Sequence, residues 1–173
     1  MISLIRTFAV LCLAAGMGAA GAASTDDDED AKPWQENVVQ FPASVSHANW
    51  VPFYVSAATD NEFFVDVSTL SVDTDDVVRY VLKVVSSEGA ASVSYEGMRC
   101  DTRERKIYAS GRRDGSWSKS RNSAWVSIRD AAANRHYAAL FLDYFCPSGI
   151  IVRSSAEAVK ALQNQGRVNV RGY

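Results

Sequence analysis

Val77-Val78-Arg79-Tyr80-Val81-Leu82-Lys83-Val84-Val85, then Ser86-Ser87-Glu88-Gly89, then Ala91 to Cys100 (ASVSYEGMRC), is the stretch that decides the fold. Successive side chains of a strand point to opposite faces, so Val78, Tyr80, Leu82 and Val84 share one apolar face. The other face interleaves Arg79 and Lys83 with Val77, Val81 and Val85. Ser86 to Gly89 has the residues of a tight turn, and the next strand follows at once. Two adjacent strands joined by so short a link must be antiparallel. Gly97, inside the second strand, predicts a bulge or a bend.

Reading upstream, Trp50 to Ser56 and Glu62 to Asp66 are further strand segments, the latter ended by Ser68-Thr69. Downstream, Arg103 to Gly111 is a strand and Ser123 to Ile128 a last one. After Ile128 the period changes. Tyr137, Leu140, Phe141, Tyr144 and Phe145 recur at helical spacing, with Asp130 as the expected N-cap and Pro147 and Gly149 as the stop. A second helix is announced by Ser154 with Glu157 three residues on, and it ends at Gly166. The fold class is α+β: an antiparallel β-meander with one or two C-terminal helices packed on one face. The aromatic stripe of the first helix is expected to be core.

The ends of the chain differ in composition. Met1 to Thr7 carries Arg6, Phe8 to Leu13 is apolar, and Ala14 to Ala23 is almost entirely small, the layout of a secretory signal peptide over residues 1–23. The apolar run is too short and too rich in Gly and Ala for a membrane span. Leu11 before Cys12 argues against lipoprotein processing, so the expectation is an exported protein without lipid, periplasmic or, as the alternative, secreted. Residues 24–32, with five consecutive acids from Asp26 to Asp30, read as a disordered acidic leader. Residues 33–166 read as a single domain, and 167–173 as a flexible tail. From Ala31 onward basic residues slightly outnumber acidic ones, although the whole chain carries a formal charge of -2. Export removes Cys12 and leaves Cys100 and Cys146, which an oxidising compartment pairs with each other. Closing a loop of that length stabilises by at most about 4 kcal/mol on the chain-entropy estimate.

Enzymatic motifs are scarce. His47 and His136 are the only histidines, and no zinc spacing, nucleophile elbow or glycine-rich phosphate loop is present. Asp73, Asp75 and Asp76 lack the glycine and the terminal glutamate of a calcium loop, so they read as an acidic turn. No metal or other cofactor is expected. The most unusual segment runs from Arg99 to Arg121, where Arg103, Arg105, Lys106, Arg112, Arg113 and Lys119 stand beside Trp117 and Trp125. Arg103, Arg105, Arg112, Arg113, Trp117 and Trp125 form a candidate binding surface for an anionic envelope component or an envelope protein. Nucleic acid is not an expected partner in the periplasm. The plainer reading puts Arg103 and Arg105 on a solvated strand face, paired with nearby acids. A second candidate is a pocket of Arg129, Asp130, Asn134 and His136 at the strand-to-helix junction, where the alternative to a binding module would be a divergent hydrolase.

Phe63 to Val72 (FFVDVSTLSV), Val78-Arg79-Tyr80, Tyr95-Glu96-Gly97-Met98-Arg99-Cys100 and Thr102 to Ala109 (TRERKIYA) resemble the CNP-one-like domain. Arg129-Asp130, Asn134-Arg135-His136 and Tyr144-Phe145-Cys146 continue the resemblance, which spans roughly residues 33–160. It implies an exported protein of the beta-proteobacterial type and kinship of fold, and supplies no catalytic residues. More distantly, Trp50, Asp66 and Cys100 are laid out as in surface-adhesin-E-type envelope domains, although this chain lacks a lipobox.

Overall fold

The structure is a computed structural model that describes residues 33–43 and 48–166. The expected signal peptide, acidic leader and C-terminal tail, and His47, lie outside the described residues. Among the described residues, seven strands form one antiparallel sheet: β1 (Trp50–Pro52), β2 (Glu62–Val72), β3 (Val77–Val85), β4 (Ala91–Arg99), β5 (Glu104–Gly111), β6 (Trp117–Lys119) and β7 (Val126–Ser127). The order is β1-β2-β3-β4-β5-β6, a meander, and β7 pairs with the other end of the β5 edge. The central hairpin is in the register its alternation requires, from Val77 opposite Arg99 to Val85 opposite Ala91. Gly89 closes its turn at φ 83°, a conformation that glycine adopts without steric cost.

Several boundaries differ from the sequence reading, each for a local reason. β2 does not stop at Asp66 but runs on to Val72 through an irregularity between Asp66 and Ser71. The buried Asp66 carboxylate replaces the missing ladder bonds, accepting from the amides of Asn49 and Ser68 at 2.8 and 3.0 Å. β1 is shorter than expected, because Pro52 has no N–H to continue the ladder. The anticipated bulge falls between Tyr95 and Glu96, beside Gly97. Gly97 itself serves close packing: a Cβ there would lie 2.4 Å from the Tyr108 hydroxyl.

Helices cover one face of the sheet. A short 3-10 turn (Ala132–Asn134) leads into α1 (Arg135–Ala139), which widens into a π-helical segment (Leu140–Phe145). α2 spans Ser155–Gln163, and the Ser154 hydroxyl accepts from the Glu157 amide at 3.2 Å, as its capping sequence predicts. The aromatic stripe is core: Tyr137, Leu140, Phe141, Tyr144 and Phe145 pack with Val78, Tyr80, Leu82 and Met98. Asp130 does not cap the first helix. Helical geometry begins two residues later, and the exposed Asp130 instead lies 3.7 Å from the Arg135 guanidinium. Cys100, one residue past β4, is bridged to Cys146, one residue past the π-helical segment, with Cα atoms 5.5 Å apart. The bridge ties the end of the helical segment to the sheet.

The opposite face is covered as well, which the alternation of β3 did not disclose. Val39 and Phe41, from an extended strap over residues 34–43, join Trp50, Val93 and Trp117 around Val81, Tyr95 and Tyr108. Polar bonds fasten the strap. The Trp34 indole donates to the Asp75 carbonyl at 2.8 Å, the Asn37 amide donates to the Asp75 carboxylate at 2.8 Å, and the Trp117 indole donates to the Pro42 carbonyl at 2.8 Å. Beneath the strap, Arg79 is buried between Asp73 and Asp75. Burial opposes the charge of both Arg79 and Asp75, but their mutual hydrogen bonds outweigh it, leaving the guanidinium pKa raised and the carboxyl pKa lowered.

Candidate functional site

The pleat of β5 sorts its cations onto different faces. Lys106, opposite Gly97, lies on the strap side, where its ammonium meets Glu36 at 2.7 Å. Arg105, opposite Met98, lies on the helix side, its guanidinium 3.9 Å from the centre of the Tyr137 ring. Arg99 on β4 is nearly buried, stacked 3.7 Å from Trp34 and paired with Asp101 at 2.8 Å and Glu104 at 3.5 Å. Arg103 projects from the β4–β5 turn with its guanidinium 5.2 Å from the Phe141 ring.

The basic segment is therefore not one ridge. Arg99 and Lys106 are held by carboxylates, the kind of pairing that the plainer reading expects at Arg103 and Arg105 instead. Arg103 and Arg105 meet aromatic rings, and among the described residues neither has an acidic partner within 4.0 Å. Arg112 and Arg113 lie exposed at the β5–β6 turn, beyond the far end of β5 from Arg103. The strand rise puts those two ends roughly 25–30 Å apart. The tryptophans are half-buried and structural in part: Trp117 anchors the strap, and Trp125 meets Trp34 edge to face at 5.9 Å.

β7 is only two residues long, and its end is pinned where the Ile128 amide donates to the Arg103 carbonyl at 2.9 Å. The chain then turns sharply into the 3-10 segment. A cleft of about 470 Å³ opens between β5, β7 and that turn, lined by Arg105, Trp125, Ser127, Arg129, Asn134 and Tyr137 with Val126, Ile128 and Ala131. Residues from both sequence-predicted groups thus share one site: Arg105 and Trp125 of the surface, Arg129 and Asn134 of the pocket. Among the described residues no carboxylate lines it. The Trp125 indole N–H is buried and has no acceptor among the described residues.

The other two pocket residues fall elsewhere. His136 lines a separate cavity of about 230 Å³ with Ser56, Thr59, Phe63 and Arg135, and Asp130 lines neither cavity. The imidazole is stacked on Phe63, centroids 5.1 Å apart, and no hydrogen bond joins it to a carboxylate among the described residues. Burial, with the charge of Arg105 assisting, lowers its pKa to about 4, so it is neutral at neutral pH. Ser56 shares this cavity, but its hydroxyl accepts from the Ala58 amide at 3.2 Å and lies 3.5 Å from the Arg135 guanidinium. That arrangement lacks the base–nucleophile contact of acyl transfer.

The residue that reading the sequence missed is Glu96. It faces Tyr80 across β3 and β4 and is fully buried behind Tyr137. Three hydroxyls donate to it: Ser94 at 2.6 Å, Tyr137 at 3.2 Å and Tyr80 at 3.3 Å. Burial raises its pKa, while Ser94, the charge of Arg105 and the two tyrosines draw it back. Burial followed by the Glu96 charge raises the pKa of the Tyr137 hydroxyl too. The signal was available, since Ser94, Glu96 and Met98 must share the face that Tyr80 occupies. This polar cluster fixes the ring on which Arg105 rests.

The CNP1-like family matches residues 29–163, and the chain belongs to that family. No curated protein and no solved structure matches it.

Proposed function

We propose that this protein is exported through its N-terminal segment and acts as a non-catalytic binding or accessory module of the cell envelope, recognising an anionic component. The observation that carries this reading is the contrast between cations on one sheet. Arg79, Arg99 and Lys106 each have a carboxylate, while Arg103 and Arg105 rest on aromatic rings without one, beside a cleft edged by Arg129. Arg105 is half-buried, and a partly desolvated cation without a carboxylate is costly to keep, a cost that an anionic partner relieves. The neutral, ring-stacked His136, set apart from Asp130, supports binding over hydrolysis.

The test has two arms. Osmotic-shock fractions should contain the protein with a mass beginning at Ala23 or Ser24, without lipid on Cys12. Envelope extract passed over the immobilised protein should leave bound material that elutes as salt rises through about 0.15 M, where screening acts within about 8 Å. Replacing the exposed Arg103 and Arg129 with Glu should abolish retention, while Arg112→Glu with Arg113→Glu should preserve it. Cytoplasmic retention would overturn export. Salt-insensitive capture, or capture indifferent to Arg103 and Arg129, would overturn the anionic contact.

A further inference from the structure

We infer that the cleft between β5, β7 and the 3-10 turn is a binding site for a small ligand carrying an oxyanion headgroup, carboxylate or phosphate, gripped by Arg105. The inference rests on the binding-module reading and adds the chemistry of what enters the cleft.

Size comes first. About 470 Å³ falls within the roughly 300–1,000 Å³ of small-molecule sites, so the cleft admits a compact organic molecule. Its lining then selects the sign. Two arginines, the Asn134 amide and the Ser127 hydroxyl offer donors, and among the described residues no acid lines the cleft to compete for them. A cation would be repelled by the two arginines, and a wholly apolar ligand would displace water from the half-buried Arg105 without replacing its hydrogen bonds.

Arg105 is the anchor because it is pre-organised. Tyr137 covers one face of its guanidinium at 3.9 Å, leaving the N–H edge for in-plane contact. That edge matches two oxygens of one carboxylate or phosphate, which a lysine cannot engage in the same way. The Tyr137 ring is in turn held by its hydroxyl bond to buried Glu96 at 3.2 Å. The field of Glu96 reaches Arg105, but its oxygens are committed to three hydroxyls and none of them bonds the guanidinium. Trp125, Val126 and Ile128 add apolar lining for the body of the ligand. Trp125 also brings a buried N–H that has no acceptor among the described residues.

The experiment is a nuclear magnetic resonance titration of the ¹⁵N-labelled full chain, following the Trp125 indole N–H, assigned by its loss in Trp125→Phe. The probes are benzoate, phenyl phosphate and neutral benzamide. The expected result is a saturable shift with benzoate or phenyl phosphate and none with benzamide. A response to one acid alone identifies the headgroup source. Arg105→Gln should weaken binding by about tenfold or more, the worth of a charge-assisted pair. Should that variant unfold, Arg105→Lys retains the charge, loses the fork and should weaken binding as well. Arg112→Glu with Arg113→Glu should leave the affinity unchanged, which separates the cleft from general surface charge. A flat titration with both acids, an equal response to benzamide, or full affinity in the folded Arg105 variant would overturn the assignment. Envelope capture with a flat titration would remove the cleft ligand and leave the module reading standing. A saturating titration without envelope capture would do the reverse.

Discussion

Gly97→Ala is a substitution whose sign the structure decides against local preference. In the middle of a strand, alanine is ordinarily favoured over glycine by about 0.5–1 kcal/mol. Here the new methyl would lie 2.4 Å from the Tyr108 hydroxyl oxygen and 2.9 Å from its ring carbon Cζ, against ordinary separations of about 3.5–4.0 Å. The ring cannot retreat freely, because its hydroxyl donates to Glu36 at 2.8 Å and Glu36 also holds Lys106. Crowding costs about 1–3 kcal/mol, and breaking a bond to a charged acceptor costs about 1.5–3 kcal/mol. Together these exceed the strand preference, so Gly97→Ala should destabilise by about 2–5 kcal/mol. The melting temperature should fall by roughly 5–15 °C for a domain of this size. The assay is thermal and urea unfolding of four proteins: wild type, Gly97→Ala, Tyr108→Phe and the double variant. Removing the hydroxyl takes away the shorter contact, so Gly97→Ala should cost at least about 1 kcal/mol less in the phenylalanine background. A neutral or stabilising Gly97→Ala, or strict additivity across the cycle, would refute the close-packing argument.

Three further outcomes are expected. Arg79→Met leaves Asp75 buried without its partner and should cost about 3–5 kcal/mol by chemical denaturation; adding Asp75→Leu should recover part of it, and no recovery would mean the pair is not what Asp75 needs. Replacing Cys100 and Cys146 with serine should cost about 2–5 kcal/mol, and thiol titration of the unfolded, unreduced wild-type chain should find neither of the two free. His136 has its pKa lowered from 6.5 to about 4 on folding, so its contribution is present above pH 6.5, declines as the pH falls through that window, and is gone below about 4. His136→Phe, which keeps a ring on Phe63, should therefore lose less stability than wild type between pH 6.5 and 4, and parallel stability curves would refute the assignment.

How far the sequence reached follows from the range of each interaction. The strand alternation of Val77 to Val85, the turn at Ser86 to Gly89, the Ser154–Glu157 cap and the helical aromatic stripe are local patterns. Each is set by residues within a few positions, and each is found where the pattern put it. The Cys100–Cys146 pairing spans 46 positions, yet a count of thiols and the expectation of an oxidising compartment were enough to anticipate it. The π-helical widening after Ala139 left no sequence signal, and the Asp130 cap failed because the helix begins only where the chain has cleared the end of β7.

Tertiary structure alone decided which cations are free. On the page, Arg99, Arg103, Arg105 and Lys106 are one basic run, because sequence distance cannot say which face of a pleat a carboxylate will cover. Glu36 and Trp34 arrive from about seventy positions away on the strap and engage Lys106 and Arg99. Glu96 is buried from the other side and holds Tyr137 beneath Arg105. The same long-range packing joined Arg105 and Trp125 to Arg129 and Asn134 in one cleft, and sent His136 to another. Local propensity sets the periodicity of each segment, whereas the pairing of charges depends on which segments pack against each other, and that is settled by burial of the whole core.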